Sequence, residues 1–303
     1  MQSINLRAHA KINFALDVLN KREDGYHNIK TIMQTLWLHD SILIQKVDKF
    51  PYKFVCDVRY VPIDDRNIIN KAAKLIIQNY DVNGGIFIKL TKRIPIAAGL
   101  GGGSADCAAT LVGLRRLFSL TMPNKELMEI GKSLGADVPF CIKRGTAIAE
   151  GIGDVLTPIA NNGHDNSFIV LVRPPIYVST KHIFEDFDIS KISERSDFDG
   201  LVNSLSTGNV SGLSGRLCNQ LEAVTIKKYP IIAEIKASLL KNGALGTLMS
   251  GSGPTVFGIF DNKHTAGNAI RNIRAQNQKI REIFLTTMYN PSLNHKSQIT
   301  NHK

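Results

Sequence analysis

The chain has 303 residues, of which 43% are hydrophobic and 21% charged, and its formal net charge is +11. This composition is typical of a globular protein with a sizeable core, in one large domain or two ordinary ones. No run of about 18 apolar residues is present, which argues against a membrane-spanning helix, and the first residues lack the apolar stretch of a secretory signal. We therefore expect a cytoplasmic protein.

The four cysteines lie far apart in the sequence, and no Cys or His cluster has the spacing of a metal site. They are Cys56, Cys107, Cys141 and Cys218. We expect free thiols, and we assign no residue as a metal ligand.

The positive charge is concentrated near the C-terminus, because residues 261–303 hold seven Lys or Arg and two acidic residues. A basic chain can indicate a nucleic-acid partner, but no zinc-finger spacing and no RNP-like aromatic motif accompanies this charge. We favour a basic surface on a protein that binds anionic small molecules. We expect no nucleic-acid or membrane partner, and a monomer or weak homodimer.

The first predicted element is a strand over residues 4–14, INLRAHAKINF, in which apolar residues alternate with polar ones. Strict period-two alternation is typical of a half-buried strand, and it places Lys11 and Asn13 on the polar face. The turn KREDGYHN at 21–28 follows. The sequence then predicts strands at 41–47 and 52–58, an amphipathic helix over 65–80 with Asp64 or Asp65 near its N-cap, and a strand over 84–95.

A glycine-rich stretch precedes a helix predicted over about 104–118, whose apolar residues recur at helical spacing. A shorter helix is predicted from Asn124, a good N-cap, to Leu134, with Gly135 as its stop. The segment GTAIAEGIGD at 145–154 predicts a strand and a turn.

The polar segment NNGHDNS at 161–167 predicts a domain boundary. After it, the sequence predicts strands in SFIVLVRP and REIFLTTM, helices near 214–226, 230–242 and 264–276, and a strand–turn–strand unit in GALGTLMSGSGPTVFGIF. The polar residues at the C-terminal end predict disorder.

The stretch PIAAGLGGGSADCAATL at 95–111 brings four glycines within five positions to the start of a helix. A helix N-terminus offers free N–H groups and a positive dipole end, and glycines allow a close approach of the backbone to an anion. The stretch is neither a Walker A loop, which ends in GK[ST], nor a GxGxxG motif opening a first βα unit. It favours a phosphate-binding loop, with tight packing of a glycine-lined turn as the alternative.

A phosphotransferase also requires charge neutralisation and a carboxylate near the attacking hydroxyl. Lys11 is compatible with that role or with a solvated lysine, and Asp137 with that role or with a turn residue. Ser104 either meets a phosphate or Mg²⁺, or caps the helix, or does both. A second glycine-rich turn at 249–260 is either a permissive hairpin or a second wall against the substrate phosphates.

In combination these motifs resemble the GHMP kinase superfamily. The first-strand lysine region, PIAAGLGGGSADCAA and MSGSGPTVFGIF occur in that family's order. The resemblance covers roughly residues 5–290. The segments at 10–36, 134–159 and 177–184, which include AKIN, REDGYH and GADVPF, narrow it to members whose substrate is a polyol linked to cytidine diphosphate.

The resemblance implies an α+β chain with the two-lobed GHMP kinase fold. An N-terminal, ribosomal-S5-like domain that binds the ATP phosphates would cover 1–162, and a C-terminal, ferredoxin-like domain 163–290, before a tail at 291–303. The implied reaction is ATP-dependent phosphorylation of the 2-hydroxyl of the polyol, in the non-mevalonate route to isoprenoid precursors. ATP and Mg²⁺ are the implied cofactors.

The resemblance also implies roles on the ATP side of the site. Asp137 would take the proton from the substrate hydroxyl, and Lys11 would position that hydroxyl and balance charge. Asn67 and Lys92 would lie near the adenine. Independently of the resemblance, the carboxylate of Asp106 beside this loop either stabilises the helix N-terminus, the role we favour, or helps to hold Mg²⁺. The residues that would wrap the ATP phosphates are Pro95, Ile96, Ala97, Ala98, Gly99, Leu100, Gly101, Gly102, Gly103, Ser104 and Ala105.

On the substrate side, the resemblance implies that Tyr26 and Phe184 stack on the cytosine and that His27 hydrogen-bonds its edge. Stacking combined with edge hydrogen bonds is a sound way to hold a base. Asn13 and Thr180 would contact the substrate as well.

Two alternatives stay open. One is a GHMP kinase for another small alcohol, of homoserine or mevalonate type, although a Tyr-His pair at 26–27 suits a base better. The other is a non-catalytic protein that binds nucleotides or nucleic acid, against which the presence of both Lys11 and Asp137 argues.

Overall fold

The computed structural model describes residues 2–48, 51–161, 167–192 and 194–291, and within them the chain is α+β, as expected. The strands are β1 (Ser3–Lys21), β2 (His27–Val47), β3 (Tyr52–Cys56), β4 (Gly85–Thr91), β5 (Thr146–Glu150), β6 (Val155–Pro158), β7 (Phe168–Arg173), β8 (Cys218–Asn219), β9 (Gly246–Met249), β10 (Val256–Phe260) and β11 (Glu282–Thr287). The helices are α1 (Ile68–Asn79), α2 (Gly102–Leu117), α3 (Asn124–Leu134), α4 (Val138–Lys143), α5 (Thr180–Glu185), α6 (Phe198–Thr207), α7 (Val210–Ser214), α8 (Glu222–Lys228), α9 (Ile231–Lys241) and α10 (Lys263–Gln276), with a short 3-10 helix at Ile189–Lys191.

The first of two compact units comprises the described residues of 1–10, 38–96 and 101–143. In it β4 pairs antiparallel with the second half of β2 and parallel with β3. Helix α2 packs against α1, α3 and α4. Helix α1 buries apolar residues spaced three and four apart, as an amphipathic helix does; they are Ile69, Ala72, Ala73 and Ile76.

The second unit comprises the described residues of 11–37, 97–100 and 144–303. Its four-stranded antiparallel sheet has the order β11-β7-β10-β9. Helix α9 precedes β9, helix α10 lies between β10 and β11, and both pack on the sheet. Because its four strands run in chain order 4-1-3-2 across the sheet, with helices after the first and third, this is the ferredoxin-like arrangement that we expected.

Parts of β1 and β2 belong to the second unit, where they pair with further strands. The start of β2 pairs antiparallel with β5, which pairs with β6. Residues Ala15 and Leu16 of β1 pair parallel with β8. In this way the middle of β1, which carries Lys11 and Asn13, lies in the same unit as β8 and β9.

Most predicted elements are confirmed, with shifted ends. The strand–turn–strand unit forms β9 and β10, and the last helix forms α10. Residue Asn67, rather than Asp64 or Asp65, caps α1, and Asn124 is the first helical residue of α3 rather than its N-cap. The helix predicted near 214–226 begins only at Glu222, since β8 precedes it.

Several elements escaped prediction because their signals are weak or short. They are the first half of β2, β6, α4, α5, α6 and α7. The domain boundary falls mainly on residues 162–166 and the tail mainly on 292–303, which lie outside the described residues. The division at 162 and 163 therefore stays a prediction.

The expectation of a half-buried first strand is wrong. In β1 the side chains of His9, Lys11 and Asn13 are only 5%, 6% and 1% exposed. Strict alternation separates the two faces of a strand, but it does not report whether another element covers the polar face. Here residues of the second unit cover Lys11 and Asn13, as described below.

No helix in the described part of the chain is long and apolar enough to cross a bilayer. Cys56, Cys107, Cys141 and Cys218 form no disulfide bonds with one another, as predicted.

Candidate active site

The glycine stretch forms the start of α2 in the first unit. Gly101 is the N-cap with a φ of 66°, and no side chain caps the helix, so its first N–H groups are left for a ligand or solvent. Ser104, for which an N-cap role was one possibility, is instead the third residue of the helix. The helix begins two residues before the predicted start because Gly102 and Gly103 take helical conformations.

Gly102 permits a close approach between this helix and the end of β4. A Cβ at this position would lie 3.3 Å from Lys92 Nζ and 3.1 Å from Ile94 Cγ2. The bare backbone therefore allows a lysine ammonium to lie directly beside the N-terminal turn of α2.

That lysine bridges two carboxylates. Lys92 Nζ donates to Asp40 Oδ2 at 2.5 Å and to Asp106 Oδ2 at 2.8 Å. Asp40 Oδ1 also accepts from the backbone N–H groups of Arg93 and Ile94. We call Asp40, Lys92 and Asp106 the charge cluster. It joins β2, the end of β4 and the first turns of α2.

The cluster shares one cation between two buried carboxylates. Burial lowers the pKa of Lys92, but the facing charges of Asp106 and Asp40 outweigh burial and leave that pKa raised. Burial raises the pKa of Asp106 well above its usual range, and Lys92 opposes this only in part. Asp40 accepts three hydrogen bonds, whereas Asp106 Oδ1 is buried without a partner. Asp40 is thus the more fully hydrogen-bonded carboxyl group of the cluster, and Asp106 is the one whose pKa burial raises.

Asn67, Ser104 and Asp137 lie in the same unit. Both polar atoms of the Asn67 side-chain amide form hydrogen bonds: Oδ1 accepts from Ile69 N, and Nδ2 donates to Pro62 O. Ser104 Oγ lies 3.8 Å from the position that a Cβ on Gly135 would take. Asp137 is half-buried directly before α4, and its carbonyl accepts from Cys141 N.

In the second unit, Lys11 is held by its strand neighbours. Its ammonium donates to Asn13 Oδ1 at 2.9 Å, Asn13 Nδ2 donates to Thr31 Oγ1 at 2.8 Å, and Thr31 Oγ1 donates to Ala15 O at 2.5 Å. The backbone N–H of Lys11 donates to Leu100 O.

The two glycine motifs meet in this unit. Ser250 Oγ donates to Gly99 O at 2.9 Å. Gly99 has a φ of 74°, and a Cβ there would lie 2.2 Å from Ser250 O, so only glycine fits. The position of a Cβ on Gly251 lies 3.6 Å from Asn13 Oδ1 and 3.7 Å from Lys11 Nζ. The second motif is thus a hairpin turn, and it covers Lys11.

Asn219 fixes that hairpin turn from β8. Its Nδ2 donates to Met249 O and to Gly251 O, both at 2.8 Å, and its Oδ1 accepts from Leu221 N. Thr180 Oγ1 lies 2.7 Å from Ser252 Oγ, which ties the start of α5 to the same turn.

The residues assigned to the cytosine lie near β2 and α5. The rings of His27 and Phe184 are 5.3 Å apart and tilted by 31°. Partial burial and the charge of Lys21 lower the pKa of His27, which favours its neutral form. Tyr26 is 62% exposed, at a turn where its N–H donates to Asp24 Oδ1.

Sequence reasoning missed Asp40, Thr31 and Asn219. The first lies at the polar position of LWLHDSILI, and a buried Asp within an apolar strand requires a partner, so a signal existed. Thr31 and Asn219 carry no such signal, because small polar residues occur on most strands.

Two family models match the chain. The GHMP kinases N terminal domain matches residues 67–145, and the GHMP kinases C terminal domain matches residues 201–279.

Individual proteins also match this chain over most of its length. The 4-diphosphocytidyl-2-C-methyl-D-erythritol kinase of Acetivibrio thermocellus is 50% identical over 266 residues, which cover 88% of this chain and 93% of the relative. A crystal structure of 4-(cytidine 5'-diphospho)-2C-methyl-D-erythritol kinase matches with a TM-score of 0.81 and 29% identity, over 95% of this chain and 100% of that one. Homoserine kinase from Cytophaga hutchinsonii matches with a TM-score of 0.74 over 95% of each chain, and at 19% identity it shows the shared fold alone.

Proposed function

Because the chain belongs to the GHMP kinase family, we propose that it uses ATP to phosphorylate 4-diphosphocytidyl-2-C-methyl-D-erythritol. The enzyme transfers the terminal phosphoryl group of ATP to the 2-hydroxyl of the methylerythritol moiety and releases ADP. Its product serves the non-mevalonate synthesis of isoprenoid precursors. The observation that carries this conclusion is the 50% sequence identity to the Acetivibrio thermocellus kinase over most of both chains.

We propose that residues 95–105 hold the ATP phosphates. Support comes from the first turn of α2, where Gly102, Gly103 and Ser104 present N–H groups without a side-chain cap. A helix N-terminus attracts phosphate through these N–H groups and its dipole. The hydrogen bond from Ser250 to Gly99 supports a fixed shape for the loop residues that precede α2.

We propose that Asp137 takes the proton from the attacking hydroxyl and that Lys11 positions this hydroxyl and balances the developing charge. Asp137 is only half-buried before α4, so part of this residue stays accessible. The hydrogen bond from Lys11 to Asn13 holds the ammonium in one place, which suits a positioning role.

For the cytidine we propose stacking on Tyr26 and Phe184, with His27 at the base edge and with Asn13 and Thr180 as further contacts. The exposed ring of Tyr26 and the pairing of His27 with Phe184 support this assignment. The lowered pKa of His27 keeps one ring nitrogen as an acceptor near neutral pH.

We propose that Asn67 and Lys92 lie near the adenine, although their side chains are not directly available to it. Both side chains already have partners within the protein, so any contact with the base would be made by backbone groups or after an exchange of partners.

Mg²⁺ would accompany ATP, and when bound it neutralises charge on the phosphates. Among the described residues no group of three or more His, Cys, Asp or Glu is placed to hold a metal, which fits an ion held mainly by the nucleotide and water. Asp106 Oδ1 is buried without a hydrogen-bond partner among the described residues, which leaves this oxygen as one candidate contact for the ion. Ser104 is the other candidate contact.

We also propose that the enzyme works in the cytoplasm, without a nucleic-acid partner, as a monomer or weak homodimer. The sequence has neither zinc-finger spacing nor an RNP-like aromatic motif, which supports the lack of a nucleic-acid role.

A coupled assay of ADP release tests the function. With Mg-ATP we expect turnover with 4-diphosphocytidyl-2-C-methyl-D-erythritol and none with homoserine or mevalonate. Turnover with homoserine or mevalonate instead would retain the phosphate loop but refute the cytidine site. No turnover with any of the three would favour a non-catalytic nucleotide-binding protein.

A further inference from the structure

A buried threonine lies at the far end of the hydrogen-bond chain that begins at Lys11. The chain runs from Lys11 through Asn13 to Thr31, and from there to the carbonyl of Ala15. Asn13 and Thr31 are almost completely buried, at 1% and 0% exposure. Solvent therefore cannot replace a partner that is lost from either side chain.

The hydrogen bonds from Lys11 to Ala15 can run in only one donor-to-acceptor direction. The ammonium of Lys11 has donors alone, so the amide atom that faces it must be oxygen, and Asn13 must present its NH₂ to Thr31. The carbonyl of Ala15 only accepts, so it takes the single hydroxyl hydrogen of Thr31. The hydroxyl oxygen of Thr31 is then left to accept from Asn13. Each end of the chain enforces the same orientation of the Asn13 amide.

We propose that Thr31 is a positioning residue for Lys11, acting through the orientation of the Asn13 amide. The inference rests on the proposed function, in which Lys11 positions the substrate hydroxyl. Thr31 lies in β2, and nothing in the comparisons or in the resemblance assigns it a role.

The side-chain type at position 31 is therefore restricted. Serine has the same hydroxyl, and it can accept from Asn13 while donating to Ala15. Valine has nearly the same shape but no hydroxyl, so the Asn13 NH₂ loses its acceptor. The amide then has no reason to keep its oxygen towards Lys11, and the ammonium loses this hydrogen bond.

The central test compares Thr31→Val, Thr31→Ser and the parent enzyme in the ADP-release assay. For Thr31→Val we expect kcat to fall by about ten- to a hundredfold, the effect that a small misplacement of a reacting group can have. The KM for ATP should stay within about twofold of the parent, since the altered chain leads to Lys11 and not to α2. Thr31→Ser should restore most of kcat.

A matched control lies on the same strand. The hydroxyl of Thr35 is buried without a hydrogen-bond partner among the described residues, and Thr35 lies on the same face of β2, four residues along. Thr35→Val makes the same change of shape and should leave kcat unchanged. An equal loss in both valine variants would refute a specific role for Thr31.

A double-mutant cycle separates positioning from a general structural effect. If Thr31 acts through Asn13, Thr31→Val should cause no further loss of kcat in an Asn13→Ala background. If the same fold loss recurs in that background, Thr31 does not act through Asn13 and the inference is wrong.

An activity-independent measurement keeps the inference apart from the proposed function. The side-chain amide signals of Asn13 in ¹⁵N-labelled protein can be assigned by their loss in Asn13→Ala. They should shift and exchange faster with solvent in Thr31→Val, but not in Thr35→Val. Unchanged signals in Thr31→Val would overturn the inference even if the parent is active. An inactive parent with these shifts would instead refute the function alone.

Discussion

The ammonium of Lys92 donates a 2.8 Å hydrogen bond to the carboxyl group of Asp106, and both side chains are almost fully buried. Asp106 lies in the first turns of the helix to which we assign the ATP phosphates, and Lys92 lies at the end of the neighbouring strand. Lys92 also donates to Asp40. These two bonds therefore link the packing of the core to the shape of the first turns of α2.

Removing the cation of this cluster should destabilise the protein strongly. Lys92→Met leaves the buried carboxylate of Asp40 without its counter-charge, and breaking a buried pair in this way costs about 3–5 kcal/mol. Urea unfolding measures the free energy of unfolding. Lys74→Met is the control, because Lys74 and Asp65 form an exposed ion pair of a kind worth about 1 kcal/mol or less. Equal losses in the two variants would contradict the prediction.

Asp106→Asn should change the pH dependence of stability. In the folded protein burial holds the pKa of Asp106 well above its usual range, while the unfolded chain ionises near pH 4. Above that pH the folded state binds more protons, so the contribution of Asp106 to stability falls as the pH rises towards its folded pKa. The asparagine variant lacks this penalty.

Melting temperatures at pH 5 and pH 8 measure this difference. We expect the stability of Asp106→Asn relative to the parent to improve between the lower and the higher pH. A constant difference at both values would mean that Asp106 is ionised in the folded protein.

Gly99→Ala should damage the junction of the two glycine motifs. The new Cβ would meet Ser250 O at 2.2 Å in a backbone with a φ of 74°, where a non-glycine residue costs about 1–2 kcal/mol before any clash. We expect a lower melting temperature and a higher KM for ATP. Gly267→Ala is the control, because a Cβ there meets nothing within 4 Å and alanine favours the helix by up to about 1 kcal/mol. A Gly99→Ala enzyme with parental ATP kinetics would refute the predicted link to ATP.

Asp137→Asn should remove the proposed base while it preserves the shape of the side chain. General base catalysis contributes about 10²–10⁴-fold to a rate, so we expect a loss of kcat of that size. ATP binding, measured by calorimetry, should stay near the parental value. Asp261→Asn, at an exposed position before α10, should leave kcat unchanged, and a parental kcat in Asp137→Asn would exclude this residue as the base.

Tyr26→Ala should weaken binding of the cytidyl substrate. The loss of one stacking face costs about 1–3 kcal/mol, which raises KM for this substrate about 5- to 150-fold where KM follows affinity. Tyr26→Phe retains the ring and should behave like the parent. The KM for ATP serves as the internal reference, and a substrate KM that does not change in Tyr26→Ala would refute stacking.

Local sequence was sufficient for elements whose signal lies within one segment. The glycines at 99–103 predicted a helix N-terminus suited to phosphate, and the turn between two apolar runs predicted the hairpin of β9 and β10. Apolar spacing predicted α10, because a helix that packs on a sheet must repeat its buried residues every three or four positions. The motif order was enough to indicate the family.

The tertiary structure decided what surrounds those elements. Alternation in β1 marked Lys11 and Asn13 as polar, but only the packing of the hairpin turn at Gly251 shows that they are buried. Lys92 is 52 residues from Asp40 and 14 from Asp106, and no local pattern predicts that one buried cation serves both. Thr31 gains its role from Asn13, 18 residues away. A sequence pattern records the polarity of a side chain, whereas the partner that satisfies its charge or hydrogen bonds is fixed only when distant segments pack together and exclude water.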